Sequence, residues 1–156
     1  MSGQRSVQKM MVEGGGPELA VSIIGTGPTL ILLHGIGSSG KSWLPVISRL
    51  SARYRLVMPD HRGHGASGHP DSGYLLANYA DDLERIIDWS GEPHPFILGH
   101  SLGGLTAITW AKRHPNTARA IVLEDMPLSG GPERAPMLEG WATLAAMSVE
   151  DAAAHY

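Results

Sequence analysis

The chain of 156 residues contains no cysteine. That absence excludes disulfide staples, thiolate metal sites and cysteine nucleophiles together. It has no block of like charge either. Its 12 Lys and Arg against 15 Asp and Glu give a net charge of −3 with the signs scattered, so a nucleic-acid-binding stripe is not expected. No stretch approaches the apolar run of about 18 residues that a membrane span needs. The opening MSGQRSVQKMMVEGGG lacks the apolar core of a signal peptide, and the expectation is a soluble, cytoplasmic protein without a membrane partner. Low-complexity tracts are absent too. What is present is a globular composition, 42% hydrophobic with 20 glycines, at a length suited to one domain.

Val7–Val12 and Leu19–Ile24 are short apolar runs joined by EGGGPE, the pattern of an antiparallel hairpin. Thr29–Leu33, TLILL, is a continuous apolar run typical of a strand buried on both faces. Trp43, Val46, Ile47 and Leu50 fall on one helical face. Tyr54–Met58 predicts another strand. Across Tyr74–Trp89, Leu76, Tyr79, Leu83, Ile86 and Ile87 share a helical face, with Asp81, Asp82 and Glu84 outside. Phe96–Leu98 predicts a strand, Leu102–Arg113 a helix, and Ala120–Leu123 a further strand. A helical pattern over Met137–Tyr156 closes the chain. Hairpin first and alternating strand and helix afterwards define an α/β fold, a mostly parallel sheet with an N-terminal antiparallel edge. Residues 1–128 read as a partial core and 129–156 as the start of a lid-like helical segment.

The stretch HGIGSSGKSW, His34 to Trp43, supports two readings. Gly35 to Ser42 matches G-x-x-x-x-G-K-S, the loop that cradles phosphate, and AIVLED downstream resembles a strand ending in a magnesium-holding Asp. Pro45 argues against it. In a phosphate loop the helix begins near Gly40–Lys41, so Pro45 would sit past the first turn, where interior proline costs about 3 kcal/mol. With Ser42 as the N-cap, Pro45 instead falls where no intrahelical donor is needed, and Lys41 becomes a solvated bystander. The other reading makes HG the start of an oxyanion loop, with His34 shaping it.

Residues 99–104, GHSLGG, contain G-x-S-x-G after an apolar strand and before a helix. That context is a strained turn projecting Ser101 above the sheet, with Gly99 and Gly103 needed to avoid collision across it. Ser101 then sits at a helix N-terminus, and the Leu102 N–H points to where an acyl oxyanion forms. The second donor of such a site comes from the loop after the third strand, where Ile36 N–H stands. The plain alternative is that Ser101 only caps a helix.

LLHGIGSSGKSW, MPDHRGHGASG and ILGHSLGG, in this order, resemble the α/β-hydrolase superfamily in its small bacterial esterase-like group. DHRGHGAS resembles the family's D-x-R-G-x-G-x-S segment, which implies structural roles for Asp60, Arg62 and Ser67; exposed loop residues are the plain alternative for Arg62 and His64. The resemblance implies a serine nucleophile, acyl transfer on an ester-like small molecule, motif-shaping roles for His34, Gly35, Gly99, His100 and Gly103, and no cofactor or metal. It also implies an acid after the sixth strand, Asp125, which would orient a histidine base; Asp125 as a simple turn cap is the alternative.

The family takes its base from a late histidine. None of His34, His61, His64, His69, His94, His100, His114 and His155 matches it. The resembled fold normally runs to about 250 residues, so the chain is expected to lack the C-terminal strands and to be a poorly active part of a longer hydrolase. An uncovered sixth strand would leave an open sheet edge, a route to self-association. The alternatives are a non-catalytic binding module on a hydrolase-like scaffold and, less favoured, a phosphate-loop nucleotide binder.

Overall fold

The computed structural model describes residues 6–126. Met137–Tyr156 and the division at 128/129 therefore lie outside the described residues. Six strands form one sheet: β1 (Gln8–Val12), β2 (Leu19–Ile24), β3 (Thr29–Leu33), β4 (Arg55–Pro59), β5 (Phe96–His100) and β6 (Ala120–Glu124). Their spatial order is β1-β2-β4-β3-β5-β6. β1 pairs antiparallel with β2, and β2 antiparallel with β4, while β3 pairs parallel with β4 and β5, and β5 with β6. The hairpin is thus an antiparallel margin on a parallel sheet. β4 and β6 run one residue and β5 two residues past their expected ends because ladder pairing continues, as in His100 opposite Glu124.

β3 is central and buried along its whole length. Its alternation serves two cores. Ile31 and Leu33 join Val21, Val57 and Ile97 under α2 (Leu76–Ser90) and α3 (Leu102–Arg113), whose Leu83, Ile86, Ile87, Ala107 and Trp110 fill that side. Leu30 and Leu32 join Leu56, Met58 and Trp43 on the other face, against Val46, Ile47 and Leu50 of α1 (Leu44–Leu50). Burying each such aliphatic side chain is worth about 1.5–3 kcal/mol, so the apolar pattern of TLILL alone commits β3 to the middle of the sheet.

Three local expectations are corrected. Ser42 is not a helix N-cap. A 3-10 turn, Gly40–Trp43, precedes α1, and Ser39 caps it by accepting from Lys41 N–H at 3.4 Å, while Ser42 Oγ donates to Ser39 O. Pro45 is the second residue of α1, where a missing donor still costs nothing. Asp82 is not on the solvent face of α2: it is 2% exposed, because two arginines reach it. Leu76 conversely is exposed, since the first turn of α2 extends beyond the core.

Candidate active site

β4 is added on one side of β3 and β5 on the other. Connections leaving the carboxyl ends of β3 and β5 therefore diverge, which marks the switch point where open α/β sheets form their ligand crevice. HGIG follows β3 and GHSLGG spans the end of β5.

Ser101 stands alone between β5 and α3 at φ 49° and ψ −111°. A non-glycine residue held there costs about 1–3 kcal/mol, and its neighbours hold it. Its N–H donates to Glu124 O and its carbonyl accepts from Leu105 N–H, both at 3.0 Å. A Cβ on Gly99 would lie 2.5 Å from the Gly103 carbonyl carbon, and one on Gly103 would strike the Leu33 carbonyl, so neither position accepts a side chain without moving strand or helix. Ser101 Oγ makes no capping hydrogen bond to α3, so the plain helix-cap role is not the one it plays. Ser101 and Leu102 thus stand at the junction of β5 and α3, with Ser101 the single residue between strand and helix.

Facing the turn is a second, tight one. Ser38 N–H closes on Gly35 O at 3.3 Å, and Gly37, third in that turn, has φ +67°, the geometry of a type II turn. Gly35 lies directly on the serine turn: a Cβ there would sit 3.4 Å from Ser101 Cβ and 2.6 Å from His100 Nδ1. Ile36 N–H and Leu102 N–H, the two expected oxyanion donors, bond to no acceptor among the described residues.

Three imidazoles bind this loop to the one after β4. His34 is fully buried; its Nδ1 donates to Gly35 O at 2.7 Å and its Nε2 accepts from His61 N–H at 2.9 Å. His61 Nε2 donates back to His34 O at 3.1 Å. His64 Nε2 accepts from Gly37 N–H at 3.2 Å, with Nδ1 donating to Arg62 O at 2.9 Å. The tautomers follow from these partners. Burial pushes the His34 pKa down to about 4, outweighing its hydrogen bond to Gly35, and burial likewise pushes His61 well below the usual imidazole range, helped by its two histidine neighbours. His34 is thus a neutral loop-former, as the sequence predicts, and so is His61.

Asp60 joins the same loops through its carboxylate, accepting from Gly40 N–H at 2.7 Å and Ala66 N–H at 2.8 Å. Ser67 Oγ donates to Asp60 O and accepts from Ala20 N–H. Arg62 is not an exposed loop residue. It is 7% exposed and forms a two-pronged pair with Asp82 at 2.6 and 2.7 Å, which raises its pKa, and it donates to Gly73 O. These contacts also dispose of the phosphate-loop reading. Gly37 and Gly40 N–H already serve His64 and Asp60, and a carboxylate occupies the place where a phosphate-binding loop offers bare amides.

Asp125 follows β6 at φ 43°, with its side chain 92% exposed and Oδ2 4.0 Å from His100 Nε2. It is at the rim of the crevice but beyond hydrogen-bond distance of that ring. Among the described residues no imidazole hydrogen-bonds to Ser101; His155 lies outside them. No cluster of metal-ligating side chains occurs among the described residues, and no helix there is long and apolar enough to cross a membrane.

Residues 28–153 match the model of the alpha/beta hydrolase fold. The chain belongs to that family. It is 38% identical over 101 residues to a 2-(acetamidomethylene)succinate hydrolase of Mesorhizobium japonicum, covering 65% of this chain and 36% of that one. It is 33% identical over 134 residues to a cis-3-alkyl-4-alkyloxetan-2-one decarboxylase of Xanthomonas campestris, covering 78% and 45%. A solved structure of an esterase from Rhodococcus superposes with a TM-score of 0.72 at 33% identity, covering 81% of this chain and 48% of that one. The matched region thus spans less than half the length of each of these proteins.

In this alpha/beta hydrolase chain, sequence reasoning foresaw the serine turn and HG but missed three contributors. His61 and His64 stand inside a motif it had already picked out, and their signal was the placement of two polar rings one and four residues beyond a structural Asp. For Asp82 the sequence offered only the i,i+3 spacing to Arg85; its second partner, Arg62, lies on another element.

Proposed function

We propose that this chain carries the nucleophile and oxyanion side of a serine hydrolase acting on small ester-like acyl compounds. Ser101 Oγ attacks the acyl carbon and its proton passes to a base. The carbonyl electron pair moves onto oxygen, which Ile36 and Leu102 N–H receive. Collapse expels the alcohol or amine, leaving acyl-Ser101, and water repeats the sequence to release the acid. Asp125 is proposed as the acid that orients the base.

The observation that carries the reading is the strained, uncapped Ser101 set against Gly35, with two unengaged amides beside it. The Rhodococcus esterase and the succinate-derivative hydrolase support acyl chemistry; the decarboxylase among the relatives is a reminder that one scaffold hosts several reactions. A fluorophosphonate probe on the full chain tests it. Covalent labelling that disappears in Ser101→Ala is the expected result. Wild-type protein that stays unlabelled would favour a binding module that keeps the crevice without an activated serine.

A further inference from the structure

The turn carrying the Ile36 N–H has little to hold it in place by packing. Ile36 is 42% exposed, and the space where a Gly37 Cβ would stand has no atom within 4 Å. Its own hydrogen bond, Ser38 N–H to Gly35 O, shapes the turn without fixing where the tip points. Among the described residues, the bond tying the tip to another part of the molecule is Gly37 N–H to His64 Nε2 at 3.2 Å.

His64 is well prepared to accept that bond. Because its Nδ1 donates to Arg62 O, the proton is drawn to Nδ1 and Nε2 is left as a bare acceptor. The carbonyl it leans on belongs to a residue immobilised by the Asp82 pair and by Gly73. The ring also meets the buried His34 ring edge-on, with centroids 5.3 Å apart. A connected path therefore runs from α2 through Arg62 and His64 to Gly37, one peptide away from Ile36.

We propose that His64 is a positioning residue: it pins Gly37 so that Ile36 N–H stays aimed beside Ser101. This rests on the acyl-transfer reading above. Oxyanion donors act only when their direction is set in advance, and a loose tip would weaken the donor without disturbing substrate affinity or the fold.

The test compares His64→Leu, which removes the acceptor, with His64→Gln, whose amide oxygen can take the place of Nε2, in the full chain. Saturation kinetics of fluorophosphonate labelling separate the maximal rate from the half-saturating concentration. Amide hydrogen exchange at Gly37 reads the hydrogen bond without chemistry. The expected result is a maximal rate lowered about tenfold or more in His64→Leu, an unchanged half-saturating concentration, faster Gly37 exchange, and recovery to within about threefold of wild type in His64→Gln. Wild-type labelling rates in His64→Leu overturn the proposal, as does His64→Gln being as slow as His64→Leu at an unchanged melting temperature. Should His64→Leu fail to fold, a Gly37 amide unprotected in the wild type, or a His64→Gln variant that labels slowly, overturns it. A wild type that does not label at all overturns the acyl-transfer reading itself, and this role with it; labelling that ignores His64 defeats this role alone.

Discussion

The two sides of the crevice are built differently. On one side, the loops after β3 and β4 are joined by His34, Asp60, His61 and His64 through hydrogen bonds of 2.7 to 3.2 Å. They spring from β3, every residue of which is buried, and from its neighbour β4, buried from Leu56 to Pro59. On the other side, among the described residues, β6 alternates between exposed and half-buried, Val122 is 54% exposed, and the exposed Asp125 carboxylate lies 4.0 Å from the His100 ring. The lesson is about where precision comes from. A central strand can fix the direction of a following loop because its backbone is paired on both sides. An edge strand fixes only one side of its own, and the side chain it delivers takes its geometry from whatever else arrives.

The sharpest way to break the fixed side is at its anchor. Asp82 accepts from both Arg62 and Arg85 inside α2. Replacing it in Asp82→Ala leaves the Arg62 guanidinium buried with Gly73 O alone, and stranding a buried charge costs about 3–5 kcal/mol. The expected outcome is a fall of that size in the urea-unfolding free energy. A loss below about 1 kcal/mol would mean that water reaches Arg62 and that the anchor is looser than its distances indicate.

How far the sequence carries this contrast can be judged from the same residues. TLILL and GHSLGG are local statements: a continuous apolar run and a serine between glycines determine strand, turn and helix within a few residues. The Arg62–Asp82 pair is not local. Helical periodicity assigns an acid beside Asp81 and Glu84 to the solvent face, and the approach of Arg62 from a loop 20 residues earlier, joining Arg85 one turn along α2, reverses that. The Ser39 and Ser42 exchange has another cause. Both are good caps, and the choice between them is decided by Gly40 N–H reaching Asp60, a contact made after β4 is in place. For Asp125, sequence gives the position at the end of β6 but not the orientation of the side chain.

Acid should loosen the same fixed side, by somewhat less. His34 titrates near 4 in the folded chain and near 6.5 in an open one, because burial disfavours its charged form. The unfolded state therefore binds a proton that the folded state refuses, and stability is complete above about pH 6.5 and is lost as pH falls towards 4. A shift of about 2.5 units corresponds to about 3 kcal/mol at the bottom of that window, with His61 adding in the same direction. Protonation also turns the Nε2 acceptor of His34 into a donor facing His61 N–H. Unfolding free energies measured across the window, with the His34 ring followed by NMR, check this. A His34 midpoint near 6.5 in the folded protein would contradict it.

The exposed side is expected to respond least, and in a different observable. Asp125 sits at φ 43°, a conformation asparagine also tolerates, so Asp125→Asn preserves the backbone while deleting the charge. With its side chain 92% exposed and 4.0 Å from His100 Nε2, beyond hydrogen-bond distance, the change in unfolding free energy is expected to stay within about 0.5 kcal/mol. A larger loss would place Asp125 among the held residues and remove the contrast between the two sides. Stability and reactivity separate its two roles, because a carboxylate that only shapes the turn after β6 has no reason to affect Ser101. If Asp125→Asn leaves the melting temperature unchanged but slows fluorophosphonate labelling, its carboxylate acts on the chemistry through a neighbouring imidazole; if both are unchanged, the assignment of Asp125 as the acid is withdrawn and the functional reading rests on Ser101, its two amides and the fixed side that aims them.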